Sequence, residues 1–135
     1  MTDFQITIEI PQLPPVEYSP NWRGFWGKRY RAGQRFSQET FLCVVQTKSS
    51  LSPEVLSSLP LEKVEISLLF VVKDDRIRDV DNWVARMKPG IDALCNAGLI
   101  VGDDYKHLAI KEVNFEVNPQ QAPKTLIKLQ KKELS

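Results

Sequence analysis

Cysteine is scarce in this chain. Cys43 and Cys95 are the two in 135 residues, they stand far from any CxxC spacing, and there is one histidine. Those counts argue against a disulfide scaffold and against a structural zinc site. No run approaches the roughly 18 consecutive apolar residues that a membrane span requires. The opening Met1-Thr-Asp-Phe-Gln lacks the positive and apolar regions of a secretion signal, so the sequence reads as a mature cytoplasmic protein. Neither a Ser-His-Asp pattern nor a glycine-rich phosphate loop is visible. A calcium loop counted from Asp79 fails as well, because Val84 and Gly90 occupy the positions that need Gly and Glu.

What the chain does have is uneven charge. Its net charge of +1 conceals a basic stretch and an acidic one. Residues 1–20 hold three acids and no base, and residues 21–60 hold six bases against two acids. Residues 61–110 hold seven bases against nine acids, and residues 111–135 five against three. Such a division suits a site where cations hold phosphates beside carboxylates that hold metal, although charge alone is equally met by solvated surfaces.

Hydrophobic periodicity supplies the elements. Phe4, Ile6, Ile8 and Ile10 alternate with polar residues as in a half-buried strand, and the proline-rich stretch to Pro20 predicts a loop. Phe36, Phe41, Val44 and Val45 predict a helix from about Gly33 to Lys48, followed by a turn-rich connection to Pro60. Val64, Ile66, Leu68, Phe70 and Val72 form a strand, with Leu69 and Val71 filling its other face, as in a central strand. Trp83, Val84, Met87, Ile91 and Leu94 recur at helical spacing before the stop signal Asn96-Ala97-Gly98. A strand from Leu108 to Val117 changes apolar phase near Lys111-Glu112, which predicts a bulge, and Thr125 to Leu129 predicts a last strand. The order strand, helix, strand, helix, strand, strand is that of a single α+β domain, a mixed sheet with helices packed on it.

Two constellations could carry chemistry. Asp79-x-Asp81 follows the central strand, where open sheets place ligands; read as extended chain, it puts two carboxylates on one side. Carboxylates so placed repel unless a cation lies between them, and Mg²⁺ takes such hard oxygen ligands with water and phosphate. Asp103-Asp104 offers a second pair, and His107 beyond it reads as a surface histidine. Acids in these positions also serve simply to cap helices and decorate turns. The second constellation runs from Asn21 to Phe36. Arg23, Lys28, Arg29, Arg31 and Arg35 interleave there with Trp22, Phe25, Trp26, Tyr30 and Phe36, without an acid between Tyr18 and Gln38. Cations that neutralise phosphate beside aromatics that stack on unpaired bases are the ingredients of a nucleic-acid surface, and its glycines suggest a mobile loop.

Asp79-Val80-Asp81-Asn82, Lys88, Asp92-Ala93-Leu94, Gly98 and Asp103-Asp104 resemble the core motif of the RusA-type Holliday junction resolvases, with Pro14-Pro15, Asn21, Arg23 and Trp26 similar to that family's N-terminal region. These are small Mg²⁺-dependent endonucleases, often encoded by phages or prophages. The resemblance covers most of the chain and implies a RusA-like fold. It implies that Asp79, Asp81 and Asp104 bind one or two Mg²⁺, with Mn²⁺ as an expected substitute. Lys88 would be the catalytic lysine, with Asp103 and Asn82 supporting the site. Asn21, Arg23, Trp26, Lys28, Arg29 and Arg31 would hold DNA. One departure stands out: the family's lysine usually lies four residues after the second aspartate of the DxD, where this chain has Ala85. On one continuous helix Lys88 would differ from that position by about 60° in direction and roughly 4.5 Å in height, but Pro89 either disrupts the helix or starts it afresh at its first turn. The implied partner is a four-way DNA junction, whose near two-fold symmetry calls for a homodimer making paired cuts, with Leu69 and Val71 as candidate interface residues. Flaps, forks or other branched DNA are alternative substrates, and a cleavage-deficient DNA-binding protein is an alternative function.

Overall fold

The computed structural model describes residues 4–132. Strand β1 (Gln5–Ile10) leads through a 3₁₀ turn (Val16–Tyr18) to a long helix α1 (Trp26–Lys48) and a short helix α2 (Pro53–Ser57). Strand β2 (Val64–Val72), helices α3 (Val80–Arg86) and α4 (Lys88–Asn96), and strands β3 (Leu108–Val117) and β4 (Lys124–Lys131) complete the chain. The sheet order is β1-β4-β2-β3. β4 runs antiparallel to both β1 and β2, and β3 runs parallel to β2, so β1, β2 and β3 all point one way. The molecule is an α+β domain with a four-stranded mixed sheet.

Each strand shows why it lies where it does. β1 buries Ile6, Ile8 and Ile10 and exposes the residues between them. β2, hydrogen-bonded on both edges, alternates buried with half-buried residues before its last three are all buried. Phe36 and Val44 of α1 join Met87, Ile91 and Leu94 against Ile8, Ile66, Leu68 and Ile127 in one core. Each such fully buried aliphatic side chain contributes about 1.5–3 kcal/mol relative to exposure. The expected bulge is present: Ile66 pairs with Ile110 and Ser67 with Glu112, which leaves Lys111 as the extra residue. Val71 is only 1% exposed, so the chain itself covers a side chain expected at a dimer interface.

One expectation is corrected. The basic segment is not a mobile loop, because α1 begins at Trp26 rather than Gly33. Gly33 lies under the Tyr18 ring, and a Cβ there would stand 2.6 Å from it, so this glycine permits close packing rather than motion. After Asp79 there are two helices, as the reading in which Pro89 starts the helix afresh expects. Pro89 lacks an N–H, and its ring would clash with the Ala85 carbonyl in a continuous helix, so the axis breaks at Met87. Pro89 then occupies the first turn of α4, and Ile91 N–H donates to the Met87 carbonyl at 2.9 Å to start the new ladder.

α1 packs along α4 where Gly90 meets the fully buried Phe36. A Cβ at Gly90 would lie 2.7 Å from Phe36 Cε2. Alanine would gain about 1 kcal/mol in helix preference, but overpacking a core typically costs about 1–3 kcal/mol. Gly90→Ala should therefore lower the urea midpoint at unchanged slope. A raised midpoint would show that the Phe36 ring can give way.

Candidate active site

Asp79 and Asp81 both lie exposed at the start of α3, not on one side of an extended segment as the sequence suggested. Asp79 is the N-cap: its Oδ1 accepts the Asp81 N–H at 3.2 Å, and its carbonyl accepts the Trp83 N–H. Aspartate suits this position because its oxygen satisfies a backbone donor that the helix leaves unpaired. The positive end of the helix offsets part of the repulsion between the two carboxylates. Asn82 follows, half-buried, and Trp83 turns into the core.

Trp83 positions that acidic turn. Its ring lies 5.0 Å from Phe70 of β2 and 5.2 Å from Phe115 of β3, edge-on to the latter. The Arg86 guanidinium lies 3.9 Å over the indole and donates to the Pro14 carbonyl from Nε at 3.1 Å and from Nη2 at 2.6 Å. Burial lowers the Arg86 pKa to about 10, which leaves it charged at neutral pH. Arg78 organises the segment before Asp79, donating to the Asp74 and Arg76 carbonyls at 2.9 Å each and to Asp74 Oδ1 at 2.9 Å. Sequence reasoning missed both arginines as structural residues. The available signal was Arg86 three positions after Trp83, on the same helical face.

Lys88, at the first turn of α4, reaches the second acid pair. Its Nζ lies 2.8 Å from Asp103 Oδ2 and 3.0 Å from Asp92 Oδ1. Hydrogen bonds to these carboxylates, Asp103 first, raise the Lys88 pKa and keep it protonated. Asp104 turns elsewhere: both of its carboxylate oxygens lie 2.9 Å from His107 Nδ1, and Oδ1 also accepts the Lys106 N–H. His107 is thus engaged rather than incidental. The hydrogen bonds from Lys88 and from His107 hold Asp103 and Asp104, respectively, below the usual carboxylate range.

The basic segment divides in two. Arg29 is half-buried, donates from Nη1 to the Glu17 carbonyl at 3.1 Å and lies 4.1 Å over the Tyr18 ring. It ties the start of α1 to the 3₁₀ turn. Asn21, Arg23, Trp26, Lys28 and Arg31 are exposed. Because Arg29 and Arg86 both donate into the Pro14–Glu17 segment, the exposed start of α1 and helix α3 meet across it.

Asp79 and Asp81 fit a magnesium ion in donor chemistry, since that ion uses one or two carboxylates and takes the rest of its shell from water and phosphate. Asp79 has one oxygen in the cap and the other available, and Asp81 is exposed. Among the described residues, however, no three His, Cys, Asp or Glu side chains gather as a metal-holding group, so Asp104 does not join them in this conformation. No helix among those residues is long and apolar enough to cross a membrane. The chain matches no family model and no curated protein.

The carboxylate pairings can be read by carboxyl NMR titration. Asp103 and Asp104 should both titrate below the ordinary range near 3.9. Lys88→Ala should raise Asp103 and leave Asp104 low, and His107→Gln should do the converse. Because these folded-state values are depressed, the linked stability is present above the unfolded pKa and lost as pH falls through the folded one. Unmoved titrations in both variants would show that the pairs do not form in solution.

Proposed function

We propose that this protein is a Mg²⁺-dependent endonuclease of branched DNA, similar to the RusA-type resolvases and acting on four-way junctions. The observation that carries the reading is the ion pair of Lys88 with Asp103, 15 residues away along the chain. It joins two parts of the motif that α4 separates in sequence. It also supports a catalytic Lys88 despite the three extra residues before it.

In this reading Asp79 and Asp81 hold the metal beside the scissile phosphate. Magnesium bound there would supply a water of lowered pKa and neutralise phosphate charge. Lys88 spends two donors on carboxylates and has a third N–H for a phosphate oxygen or the leaving oxygen. Asp103 and Asp92 keep that ammonium charged and aimed. Asp104, hydrogen-bonded to His107, would join the metal only after moving toward Asp79 and Asp81. Arg23, Lys28 and Arg31 would neutralise the DNA arms, while Arg29 and Arg86 hold the scaffold. Two copies would supply the paired cuts that a two-fold junction requires.

The test is cleavage of a synthetic four-way junction, beside a fork and a linear duplex, with and without Mg²⁺. Asp81→Asn should abolish cleavage and leave junction binding intact or tighter, since it removes a negative charge near phosphate. Lys88→Ala should cut turnover by roughly 10²–10³, as expected for one lost transition-state donor. Cleavage by Asp81→Asn within about tenfold of the parent would sink the metal-site assignment. Junction binding without cleavage by the parent would identify a binding protein instead.

The division of the cations gives a second expectation. Lys28→Ala and Arg31→Ala should each flatten the dependence of binding on log salt by about one unit. Arg29→Ala should instead lower folding stability. Equal salt slopes in all three variants would return the segment to plain solvated surface.

A further inference from the structure

Three exposed aromatics lie together at the start of α1, and the metal chemistry makes no use of them. Phe25 is 73% exposed, Trp26 72% and Tyr30 50%. Large aromatics left this open seldom serve a monomer's own stability. They are also ordered. Trp26 and Tyr30 lie one helical turn apart with ring centroids 5.5 Å apart and planes 18° from parallel. The Tyr30 hydroxyl accepts a hydrogen bond from Gln34 Nε2 at 3.0 Å, which fixes the lower ring. Most of the indole remains in water above that base.

The charges around the stack indicate its occupant. Arg23, Lys28 and Arg31 are exposed on the same segment, and no acid occurs between Tyr18 and Gln38. A second copy of this chain would bring the same cations to the interface and meet repulsion there. A nucleic acid satisfies both features at once: its phosphates neutralise the cations, and an unpaired base offers a flat face to the indole. A fully paired duplex keeps its base faces covered.

We propose that Trp26 and Tyr30 form a stacking platform for unpaired nucleotides, so that the favoured branched substrates carry single-stranded character at the branch or on an arm. This rests on the nucleic-acid part of the function proposed above and not on its metal chemistry.

The experiment is binding in EDTA, where no cleavage can intervene. A 12-nucleotide thymidine oligomer and an abasic oligomer of equal length are titrated while tryptophan fluorescence is followed. The thymidine oligomer should quench and bind at least tenfold more tightly, because the two ligands share phosphates and differ only in bases. Trp26→Ala should remove most of the quenching, and Trp26→Ala and Tyr30→Ala should each weaken binding about 5- to 150-fold, the range for one lost stacking contact. Their salt slopes should stay at the parent value, since neither removes a phosphate contact. Both residues are exposed, and an unchanged thermal midpoint will show that the variants fold. Equal affinity for the two oligomers would overturn the platform, as would quenching that survives Trp26→Ala. Loss of a dimer in Trp26→Ala by light scattering, with no preference for bases, would assign the patch to self-association instead. An inactive metal site would leave every one of these readings intact.

Discussion

The burial of Trp83 is the constraint on which the acidic end of the molecule depends. α3 has seven residues, too few to persist as an isolated helix in water. Its stability comes from laying one indole on Phe70 and Phe115 while Arg86 covers the ring and grips the Pro14 carbonyl. With Trp83 anchored, the N-terminus of α3 is set just beyond the end of β2, and Asp79 and Asp81 are held there. Without it, the acidic run would be a solvated loop.

The break at Met87 decides where Lys88 stands. A single helix through this segment would have carried Lys88 on along the axis of α3. Instead Pro89 ends α3 and restarts the ladder, and Lys88 takes the first turn of a second helix with its own direction. The buried Met87 side chain seats the break in the core. From this position Lys88 spans to Asp103. Asp104 pairs with His107 and does not gather with Asp79 and Asp81.

Basic residues that look equivalent in sequence do different work. Arg29, Arg78 and Arg86 donate to backbone carbonyls and hold loops, and Arg29 and Arg86 also lie over aromatic rings. Planar guanidinium groups suit that role because they satisfy several acceptors while resting on a ring face. Arg23, Lys28 and Arg31 stay in solvent around a stacked aromatic pair.

The α+β class, the strands, the bulge at Lys111 and the stop after Asn96 were all legible in the sequence, because each is a local consequence of side-chain period or of a turn residue. The start of α1 was not legible, since Gly27 and Gly33 read as flexibility until Tyr18 arrives from another element to pack on the second of them. Nor was the extended reading of Asp79-x-Asp81 secure, because the same residues form a helix cap once Trp83 is pulled into the core. That Arg29 reaches Glu17, Arg86 reaches Pro14 and Lys88 reaches Asp103 depends on segments distant in sequence arriving together, whereas the Asp104–His107 and Lys88–Asp92 pairs are local. Period and propensity are properties of neighbours along the chain. Distant partners for charge are chosen by packing, and only the tertiary structure decides them.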